Sequence, residues 1–333
     1  MLCVPDLPIK KKYKSLAVLT SGGDAPGMNA AIRSVVRYSI VSGLEVYGVS
    51  RGYDGLLEGQ FEKMQLASVA NIIQRGGTIL KTSRCEAFLK KSVRKEAANL
   101  LKRKGIEALV VIGGDGSFAG AHLLQQETKF PVICVPGTID NDILHSEETI
   151  GYDTAINTAL EAIDKIRDTA HSHERIFLIE VMGKSSGFIA MQVGISGGAE
   201  TVLVPEYKTT INDVCQAIDR SANRGKCSSI IIVAEGQKPG LTTQMSEKLE
   251  EKGYPARVCI LGHTQRGGTP TAHDRYLASV LGASAVAHLL AGHSDCMIAV
   301  QKNQVCHVPL KDVIGKKKPL PSEILKLAQV LAT

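Results

Sequence analysis

The residues with most chemical potential fall at the ends of apolar runs. Ala108–Ile112 leads into Gly113-Gly114-Asp115-Gly116-Ser117, where two glycines let the backbone turn and approach a ligand, and an aspartate offers hard oxygen to a divalent cation. A related unit stands earlier, where Leu16–Thr20 runs into Ser21-Gly22-Gly23-Asp24 and then a helical stretch from Met28 to Ile40. Strand, glycine loop, aspartate and helix N-terminus together make a phosphate-handling arrangement, and two such units predict one nucleotide clasped by two loops. A third run, Val132–Val135, is followed by Pro136-Gly137-Thr138-Ile139-Asp140-Asn141-Asp142. In an extended loop the carboxylates of Asp140 and Asp142 share one side, so that one acts as a base while the other orients it or supports a metal. The same residues also suit an Asx-turn cluster, and the loop alone does not choose between the two.

Cations occur near strand ends or in glycine-rich loops at Arg84, Arg175, Arg257 and the segment His263–Gly268. A guanidinium binds phosphate bidentately, so a phosphorylated substrate would use such positions, although any one of them also reads as a surface charge. Gly183-Lys184-Ser185 resembles the end of a P-loop, but Leu178 stands where that motif needs its first glycine.

These residues need a scaffold. Apolar runs at Leu16–Thr20, Val46–Ser50, Ala108–Ile112, Val132–Val135, Ile176–Val181, Ile230–Ala234, Val258–Leu261 and Met297–Val300 are mostly continuous, as expected of strands covered on both faces. Helical periods lie between them. In Asp153–Ala170, the residues Ile156, Ala159, Leu160, Ile163 and Ile166 form one stripe. Alternating strands and helices predict doubly wound α/β architecture with mainly parallel sheets and ligands beyond the carboxyl ends of the strands. A length of 333 residues with 44% hydrophobic composition accommodates two domains, with a boundary near Gly151. The net charge of +6 is spread along the chain and suits small anions better than nucleic acid, with the lysine clusters near both ends read as solvated. The eight cysteines show no metal spacing and read as reduced thiols of a cytoplasmic protein. No signal-peptide h-region and no apolar run of about 18 residues is present, so neither secretion nor a membrane partner is expected.

Four motifs in order, Thr20–Arg33, Gly113–Ser117, Pro136–Asp142 and Gly262–Gly268, resemble the ATP-dependent 6-phosphofructokinases of the short bacterial type, a likeness extending from about Ser15 to beyond Val300. The resemblance implies two Rossmann-like domains with the active site in the cleft between them: a larger ATP-binding domain at 15–151 plus 265–315, and a smaller sugar-phosphate domain at 152–264 plus 316–330. It implies transfer of the γ-phosphoryl of ATP to the 1-hydroxyl of fructose 6-phosphate, with Mg²⁺ on the nucleotide. Asp140 is then the proton acceptor; an ordinary Asp, with pKa about 3.9, is already ionised and needs placement more than activation. Asp115 holds Mg²⁺ with Asp142 in support. Gly23, Gly114, Gly116 and Ser117 bring phosphates to backbone N–H groups, Arg84 and Cys85 line the nucleotide, and Thr138 and Ile139 lie at the reacting end of the sugar. Arg84 and Lys184 contribute charge to the transfer. The sugar phosphate falls to Arg175, Met182, Gly183, Lys184, Glu235, Arg257, His263 and Arg266. Arg175 and Arg257 match positions that reach across from a neighbouring subunit, which implies a homotetramer. Arg33, Arg37, Arg167, Glu200, Arg224 and Lys226 match an effector pocket for ADP or phosphoenolpyruvate.

The chain departs from the family pattern at several points. Gln60 replaces an effector arginine, Lys184 replaces the arginine of the usual Met-Gly-Arg, and Ser50 and Leu89 stand where relatives carry tyrosine and arginine. Pyrophosphate-dependent relatives carry Asp and Lys where Gly116 and Gly137 stand, so two glycines favour ATP. A non-catalytic regulatory subunit is a second alternative, against which the retention of Asp115, Asp140 and Asp142 speaks, and a kinase of another substrate is a third, against which the loop with His263 and Arg266 speaks.

Overall fold

The computed structural model describes residues 1–236 and 240–332. Their strands are β1 (Ser15–Ser21), β2 (Glu45–Val49), β3 (Phe61–Met64), β4 (Leu109–Gly113), β5 (Val132–Pro136), β6 (Ile176–Val181), β7 (Thr201–Leu203), β8 (Ser229–Ala234), β9 (Ala256–Ile260), β10 (Cys296–Gln301) and β11 (Gln304–Pro309). The helices are α1 (Met28–Val41), α2 (Gly52–Leu57), α3 (Lys91–Arg103), α4 (Asp115–Thr128), α5 (Tyr152–Ser172), α6 (Phe188–Ser196), α7 (Ile211–Asn223), α8 (Leu241–Glu251), α9 (Ala272–Leu290) and α10 (Ser322–Leu331). The chain divides into two compact units: Met1–Ile139 with Ile143–Asp153 and Arg266–Lys318, and Asp140–Asp142 with Thr154–Gln265 and the chain from Pro319.

The first unit carries a sheet in the order β11-β10-β5-β4-β1-β2-β3. Its inner strands run parallel, while β3 and β11 pair antiparallel at the edges. β1, β4 and β5 are buried along their whole length, as continuous apolar runs require when both sheet faces are covered. On one face Phe118, Leu101, Leu124 and Leu109 form the core. There Phe88 stacks on Tyr53 with ring centroids 3.9 Å apart, and Arg94 joins α3 to α4 through Glu127 at 2.6 and 2.9 Å. The third Arg94 donor reaches the Phe88 carbonyl at 2.7 Å, and the Tyr53 hydroxyl donates to the Ser117 carbonyl at 2.7 Å. Helix packing thereby reaches the glycine loop. α1 packs against α9, whose first turn is capped by Thr271, its hydroxyl accepting from Asp274 N–H at 3.2 Å.

The second unit is built on a parallel sheet, β7-β8-β6-β9. Leu178, Ile231 and Val233 meet Val214 and Ile218 of α7 and Leu249 of α8 in its core. Thr210 and Asp213 form a reciprocal capping box at the start of α7. β9 leaves an open edge on which Val258 and Ile260 are 37% and 57% exposed.

Each strand expected from an apolar run is present within two residues. β3, β7 and β11 were not expected. β3 is largely exposed, β7 is three residues long, and β11 is an edge strand with little buried surface, so none carries a continuous apolar run. Among the described residues no helix is long and apolar enough to cross a membrane, and all eight cysteines are free thiols.

Candidate active site

In the first unit the chain passes from β1 to β2 on one side and returns to β4 on the other, so the strand order reverses between β1 and β4. Ligands bind at such a switch point beyond the carboxyl ends of the strands. The two glycine loops meet there, with Ser21 paired to Gly113. A Cβ on Gly113 would lie 2.5 Å from the Ser21 carbonyl and 2.7 Å from Ser117 Oγ, so no side chain fits where the loops touch. Ser117 is buried beneath both loops, its hydroxyl 3.3 Å from where a Gly22 Cβ would stand. Asp115 opens α4 with an exposed carboxylate whose Oδ1 accepts from Gly315 N–H at 3.2 Å. A Cβ on Gly116 would meet nothing within 4 Å, whereas one on Gly137 would meet Ile112 at 2.9 Å and Met28 at 3.1 Å. Gly116 therefore faces open space, and Gly137 is also required by packing. Thr138 lies beside Gly114 and Ile139 is fully buried.

The loop carrying Arg84 and Cys85 is fastened to the first glycine loop: Thr82 Oγ1 donates to the Gly22 carbonyl at 2.9 Å, and Gly22 N–H reaches the Ser83 carbonyl at 3.4 Å. Arg84 is exposed. Burial, and then a hydrogen bond to Asp54, push the Cys85 thiol up to about 11, so it is a neutral thiol. Asp54 is held below the usual carboxylate range, chiefly by that same bond. Arg266 Nη1 donates to the Asp24 carbonyl at 3.3 Å.

The remaining candidates lie in the second unit. Asn141 is in the left-handed region at φ 49°, which breaks the period-two alternation that the extended-loop expectation for Asp140 and Asp142 required. Asp140 is 7% exposed and Asp142 half-buried. The Ser186 hydroxyl lies 3.3 Å from the Asp140 carbonyl and 3.1 Å from that of Gly183. Met182, Gly183 and Lys184 follow β6, Glu235 follows β8, and His263 follows β9, so the carboxyl end of this sheet collects them. Lys184 N–H donates to Glu235 Oε1 at 2.7 Å, and Met182 N–H to Gln265 Oε1 at 2.8 Å. Arg175 precedes β6, and Arg257 pairs with Phe177 at the start of that strand. Six residues of strand, about 20 Å at 3.3 Å each, separate Arg175 from Met182, so these two arginines do not join the group.

Among the expected effector residues, Lys226 pairs with the buried Glu200 at 2.9 Å, and Glu200 Oε2 also accepts from Ile230 N–H at 2.5 Å. Arg167 donates to the carbonyls of Gly197 and Gly198, adjoining Glu200. Arg224 donates to the Ala332 carbonyl at 2.9 Å. Glu200 borders a cavity of about 550 Å³ shared with Lys208, Arg220 and α10. Arg33 and Arg37 are four apart on α1 in the first unit. Gln60 donates to Glu58 Oε2 at 2.6 Å, Ser50 is partly buried and Leu89 is exposed.

The sequence places Asp24 and Asn29 in the first glycine motif, but the loop Arg75–Ile79 that they hold was not expected: Thr78 N–H donates to Asp24 Oδ1 at 3.3 Å. Asn29 Nδ2 donates to the carbonyls of Arg75 and Gly77 at 3.0 and 2.7 Å, and Ile79 N–H donates to Asn29 Oδ1 at 2.8 Å. Only the run of glycines at Gly76-Gly77 could have marked this loop in one dimension.

Paired glycine loops at a switch point, with a carboxylate opening the following helix, define a nucleotide-binding α/β protein of phosphoryl-transfer type. A phosphofructokinase family profile matches residues 15–289. The chain belongs to the phosphofructokinase family. It is 51% identical over 320 residues to the ATP-dependent 6-phosphofructokinase of Thermotoga neapolitana, covering 96% of this chain and 100% of that one. Among solved structures, phosphofructokinase from Pichia pastoris in the T-state superposes with a TM-score of 0.85 at 35% identity, over 92% of this chain and 36% of that longer one. A pyrophosphate-dependent phosphofructokinase from Nitrosospira multiformis superposes at 0.84 with 18% identity, covering 96% and 92% of the two chains. That likeness extends to the fold alone, so architecture does not separate the two phosphoryl donors.

Proposed function

We propose that this protein transfers the γ-phosphoryl of ATP to the 1-hydroxyl of fructose 6-phosphate, giving fructose 1,6-bisphosphate and ADP, the committed step of glycolysis in the cytoplasm. The observation that carries this reading is the 51% identity spanning the whole of an ATP-dependent 6-phosphofructokinase. Gly116 supports the same donor, because the open space before it admits a nucleotide α-phosphate that an aspartate there would crowd and repel. Steady-state turnover with ATP and with pyrophosphate tests the reading: ATP supports rapid turnover and pyrophosphate does not, and equal rates would overturn it.

Phosphoryl transfer passes through a loose transition state, so placement and charge neutralisation are the protein's main tasks. Asp140 accepts the proton of the attacking hydroxyl, and Thr138 with Ile139 sets the reacting end of the sugar. Arg84 and Lys184 neutralise charge on the transferring group. Gly23, Gly114, Gly116 and Ser117 present backbone N–H groups to phosphate, beside Arg84 and Cys85. Asp115 fits Mg²⁺ as an exposed oxygen donor that opens α4 beside the glycine loop. When bound, the ion would supply positive charge that neutralises the phosphates, held by Asp115 with Asp142 in support.

Met182, Gly183, Lys184, Glu235, His263 and Arg266 take the sugar phosphate. Arg175, just before β6, and Arg257 of β9, paired with Phe177 near the start of β6, serve the site of a neighbouring subunit in a homotetramer. The larger unit is the ATP domain and the smaller the sugar-phosphate domain. Arg33 and Arg37 of the first unit, and Arg167, Glu200, Arg224 and Lys226 of the second, are assigned as ligands of ADP or phosphoenolpyruvate.

A further inference from the structure

We propose that Asp24 is a positioning residue for Arg266, holding the guanidinium through a closed circuit of loops in the first unit. This inference depends on the reading of Arg266 as a sugar-phosphate ligand. Gly23 and Asp24 form a shelf beneath the arginine: a Cβ on Gly23 would stand 2.7 Å from Arg266 Nη1, and the same nitrogen donates to the Asp24 carbonyl at 3.3 Å. The guanidinium therefore lies against backbone that only glycine leaves bare.

The Asp24 side chain fixes this shelf from behind. Its Oδ1 accepts from Thr78 N–H at 3.3 Å, and the Thr78 hydroxyl lies 3.1 Å from that of Thr20 at the end of β1. The loop bearing Thr78 is held by all three Asn29 bonds. It returns to the arginine from the other side, because a Cβ on Gly76 would stand 2.1 Å from the Gly268 carbonyl, two residues beyond Arg266. Both flanks of Arg266 thus refer to one rigid loop, and Asp24 is the ionisable link in it. Burial raises the Asp24 carboxyl pKa, opposed by the N–H groups of Thr78 and Ala25 and by the Arg266 charge. The carboxylate acts on Arg266 through space rather than through a direct ion pair, and partial desolvation strengthens that attraction.

The design separates the uncharged contacts from the charge. Asp24→Asn keeps an oxygen acceptor for Thr78 and leaves the backbone carbonyl in place, while removing the attraction to Arg266. The measurements are the half-saturating concentrations of fructose 6-phosphate and ATP, kcat, and Tm, for the wild type, Asp24→Asn, Arg266→Ala and the double variant. Asp24→Asn is expected to raise half-saturation for the sugar about fivefold, a larger factor than any change in kcat or ATP half-saturation, and to add nothing to the sugar effect in the Arg266→Ala background. An equal effect in both backgrounds, or no effect in either, overturns the positioning role, since a purely structural loss would persist without the arginine. If Arg266→Ala leaves the sugar term unchanged, the ligand role of Arg266 falls and this inference with it. Should Asp24→Asn not fold, Asp24→Ser, which also keeps an oxygen acceptor without charge, carries the same cycle.

Discussion

Asp140 and Gly116 are the two positions at which single atoms decide most. Replacing Asp140 by Ser removes the proposed proton acceptor but leaves the neighbouring carbonyl contact with Ser186 available. The expected result is a fall in kcat of roughly 10²–10⁴-fold with little change in sugar affinity, measured by steady-state kinetics. Near-normal turnover would remove Asp140 from the base role. Gly116 and Gly137 should separate cleanly. Gly116→Asp enters open space and is expected to weaken ATP use with an unchanged Tm. Gly137→Ala drives a methyl against Ile112 and Met28 and is expected to lower stability by about 1–3 kcal/mol in urea unfolding.

At the scale of elements, the Arg94–Glu127 pair braces α3 against α4, and the chain of contacts through Phe88 and Tyr53 ends on the Ser117 carbonyl. Bonds from Arg94 hold the Glu127 carboxyl below its usual range. A depressed carboxyl pKa contributes stability that is present above the unfolded value and is lost as pH falls through the folded one. Glu127→Gln should therefore cost about 1–3 kcal/mol at neutral pH, and the gap from wild type should close below pH about 4 as the wild-type carboxyl protonates. Thermal unfolding across that range reads it, and a gap independent of pH would assign the loss to shape rather than charge. The strands that carry the glycine loops were legible because burial on both faces writes a continuous apolar run. β3 and β11 escaped because edge strands need no such run, and β7 because three residues set no period. The site was legible where a motif is local, as at Gly113–Ser117. The left-handed turn at Asn141 was hidden because aspartate and asparagine suit both extended and turn conformations. Asp24 was legible as part of a glycine loop but its partners were not, because they stand 54 and 242 residues away at Thr78 and Arg266.

At the scale of the whole molecule, Arg175 and Arg257 stand a strand's length from Met182 and Lys184. If they complete a neighbour's site, two inactive variants should repair each other. Arg257→Ala and Asp140→Ser subunits, unfolded together and refolded as a mixture, are expected to regain activity that neither has alone, because some hybrid sites combine both intact halves. Absence of recovery in verified hybrids would place each site within one chain. The open edge of β9 carries a thermodynamic corollary. Exposed Val258 and Ile260 beside unpaired strand backbone are stabilised by whatever covers them, and in a homo-oligomer the cover is more of the same protein. Its melting temperature is then no fixed property of the sequence: by mass action it should climb as the solution is concentrated and fall on dilution.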